Sequence, residues 1–306
     1  MNSKQFVIAD VFTEEQFGGN QLAVFTDGSG LDATTMQNIA REMNYSETTF
    51  LLPPEHDGDY RVRIFTPASE LPFAGHPLVG SAYVIVAEQM KQKTEPVTPL
   101  SLETGVGPIH VEVGIAGGLP GRTTMTQPLP VVRGSYSNVG ALAKALSLDA
   151  SRIEQTGLPV ETIFNGIPVL IVPVGTRADV ENIRSDSGAL TKISHDAGAA
   201  TVMVFSRETL LPTSTVHCRV FAPAEGVAED AATGSANGPL GFYVVRHKLI
   251  KPEATTRIVS EQGFEMKRPS LLYIDVDVKL ETNEVTAVRV GGGVVISGRG
   301  EIFILQ

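Results

Sequence analysis

The sequence predicts an α+β protein made of two similar halves. Short strand-like runs outnumber helical ones, successive strands often stand at hairpin spacing, and a six-residue block recurs later in the chain in the same surroundings. A chain of 306 residues is also about two domains' worth at roughly 150 residues each.

Phe6-Val7-Ile8-Ala9-Asp10-Val11-Phe12 reads as a strand, and Gly18-Gly19-Asn20 marks a turn before the strand Leu22–Phe25. From Asp32 to Met43 the period changes: Met36, Ile39, Ala40 and Met43 fall on one helical face, with Asp32 as N-cap. Ser46 to Leu52 is strand again, rich in Thr and Phe and stopped by Pro53-Pro54. Arg61 to Phe65 is the next strand. Met90 to Pro99 is polar with two prolines and reads as a connection. Ile109 to Val113 alternates His110 and Glu112 with apolar residues, the mark of a half-buried strand.

Pro128-Leu129-Pro130 and Arg133 to Val139 read as the boundary between the halves. The expected domains are therefore 1–128 and 129–306, with the last strand free to return to the first. Beyond it, helical patterns cover Ala141–Leu148, Ala178–Arg184 and Pro239–Arg246. Strands are expected at Val169–Val174, Thr201–Phe205, His217–Phe221, Arg257–Ser260, Leu271–Val276, Val285–Val290 and Glu301–Leu305.

The repeat is the most informative feature. Arg63-Ile64-Phe65-Thr66-Pro67-Ala68 resembles Arg219-Val220-Phe221-Ala222-Pro223-Ala224, 156 residues on. Each block is followed, after an acidic loop, by a glycine–polar pair, Gly75-His76 and Gly234-Ser235, and then by a run of small apolar residues that suits a buried helix. The glycine pairs are 159 residues apart, so the second copy holds three extra residues in the loop carrying Glu229-Asp230. The expected unit is a strand, a glycine turn and a helix start. Two such helix N-termini facing one cleft would offer backbone N–H donors and positive dipole ends to a carboxylate or another small anion.

Composition narrows the function. With 24 basic and 34 acidic residues the net charge is −10, which argues against nucleic acid as a partner, and neither basic stretch (Lys91–Lys93, Arg246–Lys251) forms a strong patch. No apolar run approaches the roughly 20 residues of a membrane span, and Phe6–Ala9 is too short for a signal-peptide core. Trp is absent and aromatics are 6%, so a stacking platform is disfavoured. The single cysteine, Cys218, leaves no intramolecular disulfide and no cysteine-based zinc cage. The reading is a cytoplasmic protein. Phosphate-loop, H-E-x-x-H and G-x-G-x-x-G patterns are absent, and the six histidines show no metal-ligand spacing, which favours chemistry without metal or cofactor.

Four polar residues and their turns are candidates for that chemistry. Glu47 opens a strand after Asn44-Tyr45-Ser46. There it either faces solvent or lines a cleft, where partial desolvation would raise a carboxylate toward neutral pH. His76, between Gly75 and Pro77 at a helix start, suits either a structural cap or proton exchange with a substrate. Asp230 precedes the second helix start, in a turn or capping role or at a site. Ser235 can cap its helix or donate to a substrate carboxylate. Asn20, after two glycines, is a turn residue or a substrate contact.

Three blocks resemble the PhzF-like phenazine-biosynthesis proteins: Arg41–Phe50, Arg63–Pro67 with Glu70–Pro77, and Glu229–Ala236. Weaker similarity runs nearly end to end. The resemblance implies the diaminopimelate-epimerase-like fold, in which two pseudo-symmetric domains each wrap a sheet around a central helix with the active site between them. It also implies a homodimer without cofactor, and isomerisation of a small amino acid such as trans-2,3-dihydro-3-hydroxyanthranilate. Glu47 then takes and returns the proton; His76, Asp230 and Ser235 hold substrate and assist; Asn20 and the turns at Gly75 and Gly234 bind its carboxylate end. Racemases of that superfamily use two cysteine thiols. With one cysteine, two-thiol inversion is excluded, and one carboxylate on one face suits moving a proton between carbons. Two other readings stay open: a hydrolase built on Ser235, His76 and Asp230, although T-G-S-A is not the G-x-S-x-G elbow, and a non-catalytic amino-acid-binding protein.

Overall fold

In the computed structural model, residues 2–90 and 96–304 are described. In chain order the strands are β1 (Asn2–Val11), β2 (Asn20–Phe25), β3 (Glu47–Leu52), β4 (Tyr60–Phe65), β5 (Glu70–Leu71), β6 (Val97–Thr104), β7 (Gly107–Ala116), β8 (Leu119–Gln127), β9 (Val131–Ser135), β10 (Glu161–Phe164), β11 (Pro168–Pro173), β12 (Thr201–Ser206), β13 (Val216–Ala222), β14 (Val227–Asp230), β15 (Thr255–Gln262), β16 (Ser270–Lys279), β17 (Glu284–Gly292) and β18 (Val294–Ile304). The helices are α1 (Ala33–Met43), α2 (Gly75–Val84), α3 (Val139–Ala145), α4 (Ser151–Glu154), α5 (Arg177–Glu181), α6 (Ser187–Ala197) and α7 (Gly234–Arg246). Two units emerge: Met1–Thr126 with Gly291–Gln306, and Gln127–Val290.

In the first unit β1 lies between β18 and β2, antiparallel to both. β2 is parallel to β3 and β3 antiparallel to β4, which runs antiparallel to β5 and parallel to β6; β6 pairs antiparallel with β7. The second unit repeats this grammar. β11 is parallel to β12, β12 antiparallel to β13, and β13 antiparallel to β14 and parallel to β15, which pairs antiparallel with β16. The repeated block therefore falls on the same strand of each unit, β4 and β13, and the glycine pairs open α2 and α7.

Both of these helices are buried on every side. In α2 every residue but Tyr83 is buried, and in α7 eleven of thirteen are. A helix with no solvent face must be central to its layer, which explains why small residues line it instead of an apolar stripe. α1 is the opposite kind: Met36, Ile39 and Ala40 face the core, Asp32 caps Thr35 N at 2.7 Å, and Asn44 ends it in the left-handed region at φ 52°. Phe6, Phe25, Phe50 and Phe65 form a ladder across β1 to β4, with successive ring centroids 5.3, 4.9 and 5.6 Å apart.

Some elements differ from expectation. Val131–Ser135 is strand β9, paired with β10, where a connection is expected; four of its five residues are exposed, so no alternation marks it. The last strand starts at Val294, not Glu301, and its end at Leu305 lies outside the described residues. Gly298 and Gly300 break its pattern; a Cβ on Gly300 would sit 2.4 Å from the Phe6 ring. Part of the connection expected over Met90 to Pro99 also lies outside the described residues, including Lys91 to Lys93, and β6 already begins at Val97. Among the described residues no helix is long and apolar enough to cross a membrane.

The repeated arginines carry the same bidentate pair. Arg63 Nε and Nη2 donate to Glu70, each at 2.7 Å, and Arg219 Nε and Nη2 donate to Glu229 at 2.7 and 2.8 Å. Arg219 is the more committed: its Nη1 also donates to the carbonyls of Val180 and Ile183, both at 3.1 Å. Arg219→Ala should cost about 3 kcal/mol, because it strands a half-enclosed carboxylate and buried carbonyls. Arg63→Ala, at a more exposed pair, should cost about 1 kcal/mol or less. Urea midpoints compare the two; equal losses would contradict the assignment.

Candidate active site

Four side chains of the first unit converge. Glu47 is the first residue of β3, reached through the left-handed Asn44 that ends α1, and its backbone stands opposite Leu22 of β2. His76 is the second residue of α2. Its Nε2 lies 3.3 Å from Glu47 Oε2, and both atoms are shut off from water. On the other side of the ring, Nδ1 lies 3.4 Å from Asn20 Nδ2, and Ser46 Oγ donates to Asn20 Oδ1 at 3.3 Å. The Glu47 side chain is 15% exposed and that of His76 4%. Glu47 is thus enclosed beside a ring and does not point into solvent. Asn20 is more than a turn residue: it opens β2, is buried, and bridges the Ser46 turn to His76.

Burial sets the charge of His76. Desolvation pushes its pKa down to about 3, against the opposing pull of a hydrogen bond with the Gln21 backbone. Its 3.3 Å contact with Glu47 therefore involves a neutral imidazole at ordinary pH and is not an ion pair. Helix position also corrects the capping idea. The N-cap of α2 is Ala74, in extended conformation, with no side-chain hydrogen bond to the first turn. This leaves the N-terminal N–H groups around Gly75 without a capping side chain.

The second unit builds its counterpart differently. The N-cap of α7 is Thr233, so Ser235 is the second helical residue and does not cap the helix. Thr233 is a capping residue type, but its hydroxyl donates to Asp230 Oδ2 at 2.5 Å and does not cap the helix either. Gln262 locks this turn: its Nε2 donates to the Asp230 carbonyl at 2.8 Å and its Oε1 accepts from Thr233 N at 3.2 Å. Pro239, inside α7, has no N–H for the Ser235 carbonyl, and Asn165 Nδ2 supplies the missing donor at 3.0 Å. Gln127 Nε2 likewise holds the Gly234 carbonyl at 2.9 Å. Ser46, Gln262, Asn165 and Gln127 escape the motif-based reading, since each acts on a turn distant from it in sequence or, for Ser46, reads as part of a turn.

Cys218 does not serve as a thiol base: it is fully buried, with Sγ 3.2 Å from Ser260 Oγ and donating to Gln262 Oε1 at 3.9 Å, and burial pushes its pKa up to about 12. Among the described residues no group of three or more His, Cys, Asp or Glu side chains is placed to hold a metal ion.

The family model described as phenazine biosynthesis-like protein matches residues 9–300. Proteins named trans-2,3-dihydro-3-hydroxyanthranilate isomerase from Pseudomonas chlororaphis and Pseudomonas aeruginosa are 38% and 36% identical, each over 98% of this chain and 99% of the relative. A crystal structure of a PhzF-family phenazine biosynthesis protein from Bacillus anthracis superposes with a TM-score of 0.88 at 25% identity, covering 99% of this chain and 100% of that one. A probable proline racemase from Agrobacterium radiobacter shares the fold alone, with a TM-score of 0.70 at 13% identity over 98% of this chain and 93% of that one.

The depressed His76 pKa has a consequence for stability. Between the ordinary value of 6.5 and about 3, the unfolded chain binds a proton that the folded ring refuses, so its contribution is full above 6.5 and is lost as pH falls. The stability gap between wild type and His76→Gln should therefore move against the wild type between about pH 7 and about pH 4.5. Urea unfolding at the two values tests this, and a pH-independent gap would refute the buried neutral ring.

Proposed function

This chain belongs to the PhzC-PhzF family of phenazine biosynthesis-like proteins and is an isomerase, and from that membership we infer a reaction in which a proton moves within a small cyclic or unsaturated amino acid. Glu47 takes the proton from one carbon and returns it to another as the double bond shifts. Every atom and electron stays within substrate and carboxyl group, so the reaction needs no cofactor. The substrate favoured by the relatives' names is trans-2,3-dihydro-3-hydroxyanthranilate.

The observation that carries this reading is the enclosed Glu47 carboxyl 3.3 Å from a neutral His76. A group that must hold a proton between two steps has to be shielded from solvent, or the proton exchanges away. A neutral imidazole can donate to the carboxylate or accept from the carboxylic acid at Nε2. It therefore accompanies the carboxyl group through both states without adding a fixed charge that would pin it as an anion.

The repeat supports one-sided chemistry. Glu47 opens β3 opposite Leu22, and the matching residue that opens β12 opposite Val169 is Thr201. Threonine offers no general base there, so the pseudo-symmetry does not furnish a second one at that position. Transfer along one face fits this asymmetry better than inversion at one centre. The ring nitrogens of His76 lie toward Glu47 and Asn20, which disfavours its use as the base of a Ser235 hydrolase.

Asp230 and Ser235 are assigned as substrate-holding groups by the motif they share with the family. Gly75 and Gly234 are assigned as backbone donors to the substrate carboxylate, and Asn20 as a further contact. The family resemblance also carries a homodimer, and the acidic, single-cysteine composition favours the cytoplasm.

Glu47→Gln should leave the circular-dichroism spectrum and melting temperature unchanged and lower turnover by roughly 10²–10⁴. The assay is conversion of dihydrohydroxyanthranilate followed by product spectroscopy. Near-full activity in the variant would overturn the base. A wild type inert toward this compound would overturn the substrate and leave the base to be tested by deuterium uptake from solvent into other unsaturated amino acids.

A further inference from the structure

The duplication also marks a place where the two units differ. In the first, Arg61 of β4 pairs in register with Glu103 of β6; in the second, His217 of β13 pairs with Glu261 of β15. The two glutamates share one structural task, and Glu261 in addition meets His217 Nδ1 at 2.9 Å. Glu103 accepts from the backbone N–H groups of Glu55, His56 and Gly58 at 2.7 to 3.0 Å, and Glu261 accepts from those of Leu210 and Leu211. Two residues further on, Gly105 and Gly263 are each pressed against the matching neighbour. An added Cβ would lie 2.8 Å from Pro72 Cα in one and 2.4 Å from the Ala231 carbonyl in the other.

After that glycine the copies diverge. The β15–β16 connection runs 263–269, whereas the β6–β7 connection is only 105–106. The longer loop folds back over His217. Glu265 Oε1 meets His217 Nε2 at 2.7 Å, and the Phe264 ring lies 6.1 Å from the imidazole. The first unit has no such loop, and around Arg61 there is instead a cavity of about 680 Å³. That is within the usual range for small-molecule sites. Leu71, Pro72 and Pro108 give it an apolar wall, and Arg61 and Arg63, two apart on one strand, place their side chains on one face. None of Glu47, His76, Asn20 or Ser46 lines it.

The second unit thus shows what fills this position when the chain fills it itself: an aromatic ring and a carboxylate, set on the basic residue of the strand. We propose that the first-unit cavity binds a small aryl carboxylate, its ring against the apolar wall and its carboxylate on Arg61. Three of the acidic residues around the cavity are otherwise engaged or turned to water. Glu103 is taken up by backbone donors, Glu70 holds Arg63 at both oxygens, and Asp57 is exposed. Glu55 is the competitor. It meets Arg61 through Nη1 alone, with its own side chain 58% exposed, and a pair so open to water is cheaply exchanged.

The test uses phenylacetate, with phenylacetamide as the uncharged control, on the full chain with backbone amides observed by NMR. Phenylacetate should shift amides within 55–63 and 101–108 with a Kd of roughly 1 mM, typical of a fragment-sized ligand. Phenylacetamide should not, Arg61→Ala should weaken binding tenfold or more, and Glu55→Gln should tighten it severalfold by removing the competitor. The proposal is overturned if no shift appears in these segments up to about 10 mM. It is equally overturned if Arg61→Ala binds as wild type, if the amide binds as well as the acid, or if Glu55→Gln fails to tighten binding. Shifts confined to the Glu47 region would overturn it too, while leaving the isomerase reading intact.

Discussion

A helix buried on all sides has to present the N–H groups of its first turn to something, and the local architecture of each unit answers to that constraint. α2 and α7 both start inside their own unit, each with a glycine as its first helical residue, and neither start is closed by a capping side chain. In a purely structural helix that arrangement leaves stability unused. At α2, beside an enclosed carboxyl group and a neutral imidazole, it leaves backbone donors free of a capping side chain at a point suited to an anion.

The two units meet the constraint with different residues. In the first, the polar groups around the helix start are Glu47, His76, Asn20 and Ser46, in contacts of 3.3 to 3.4 Å. In the second, the groups around the start are amides and hydroxyls that hold one another. Thr233 is drawn to Asp230, Gln262 clamps both, and Asn165 stands in for the N–H that Pro239 lacks. Duplication kept the backbone pairing and the Arg–Glu pair while the chemistry of the two helix starts diverged. A carboxylate opens one strand and a threonine the other, so the two halves are not chemically equivalent at that position.

Legibility followed the range of each interaction. α1 was readable because cap, stripe and left-handed stop all lie within a dozen residues. The signals for α6 are as local, with Asp186 capping Ala189 and Gly198 in the left-handed region, yet its polar face obscured the period. β9 and the start of β18 could not be read, because exposure in one and glycines in the other remove the alternation. Glu47 and His76 were singled out as candidates by motif and resemblance. Gln262, Asn165 and Gln127 were not, because a buried amide in the sequence looks the same whether or not a distant carbonyl awaits it.

Alone, the sequence determined the mixed strand-and-helix class, the internal repeat, the single cysteine and the family, since these rest on residue identity and short-range spacing. Tertiary structure decided that Glu47 is enclosed beside His76, that His76 is neutral, and that Arg61 borders a cavity where His217 lies beneath a loop. Those properties depend on which strands pair, in what register, and on how much water is left around the side chains that result. Charge state and access are set by neighbours tens of residues away, and no local pattern specifies them.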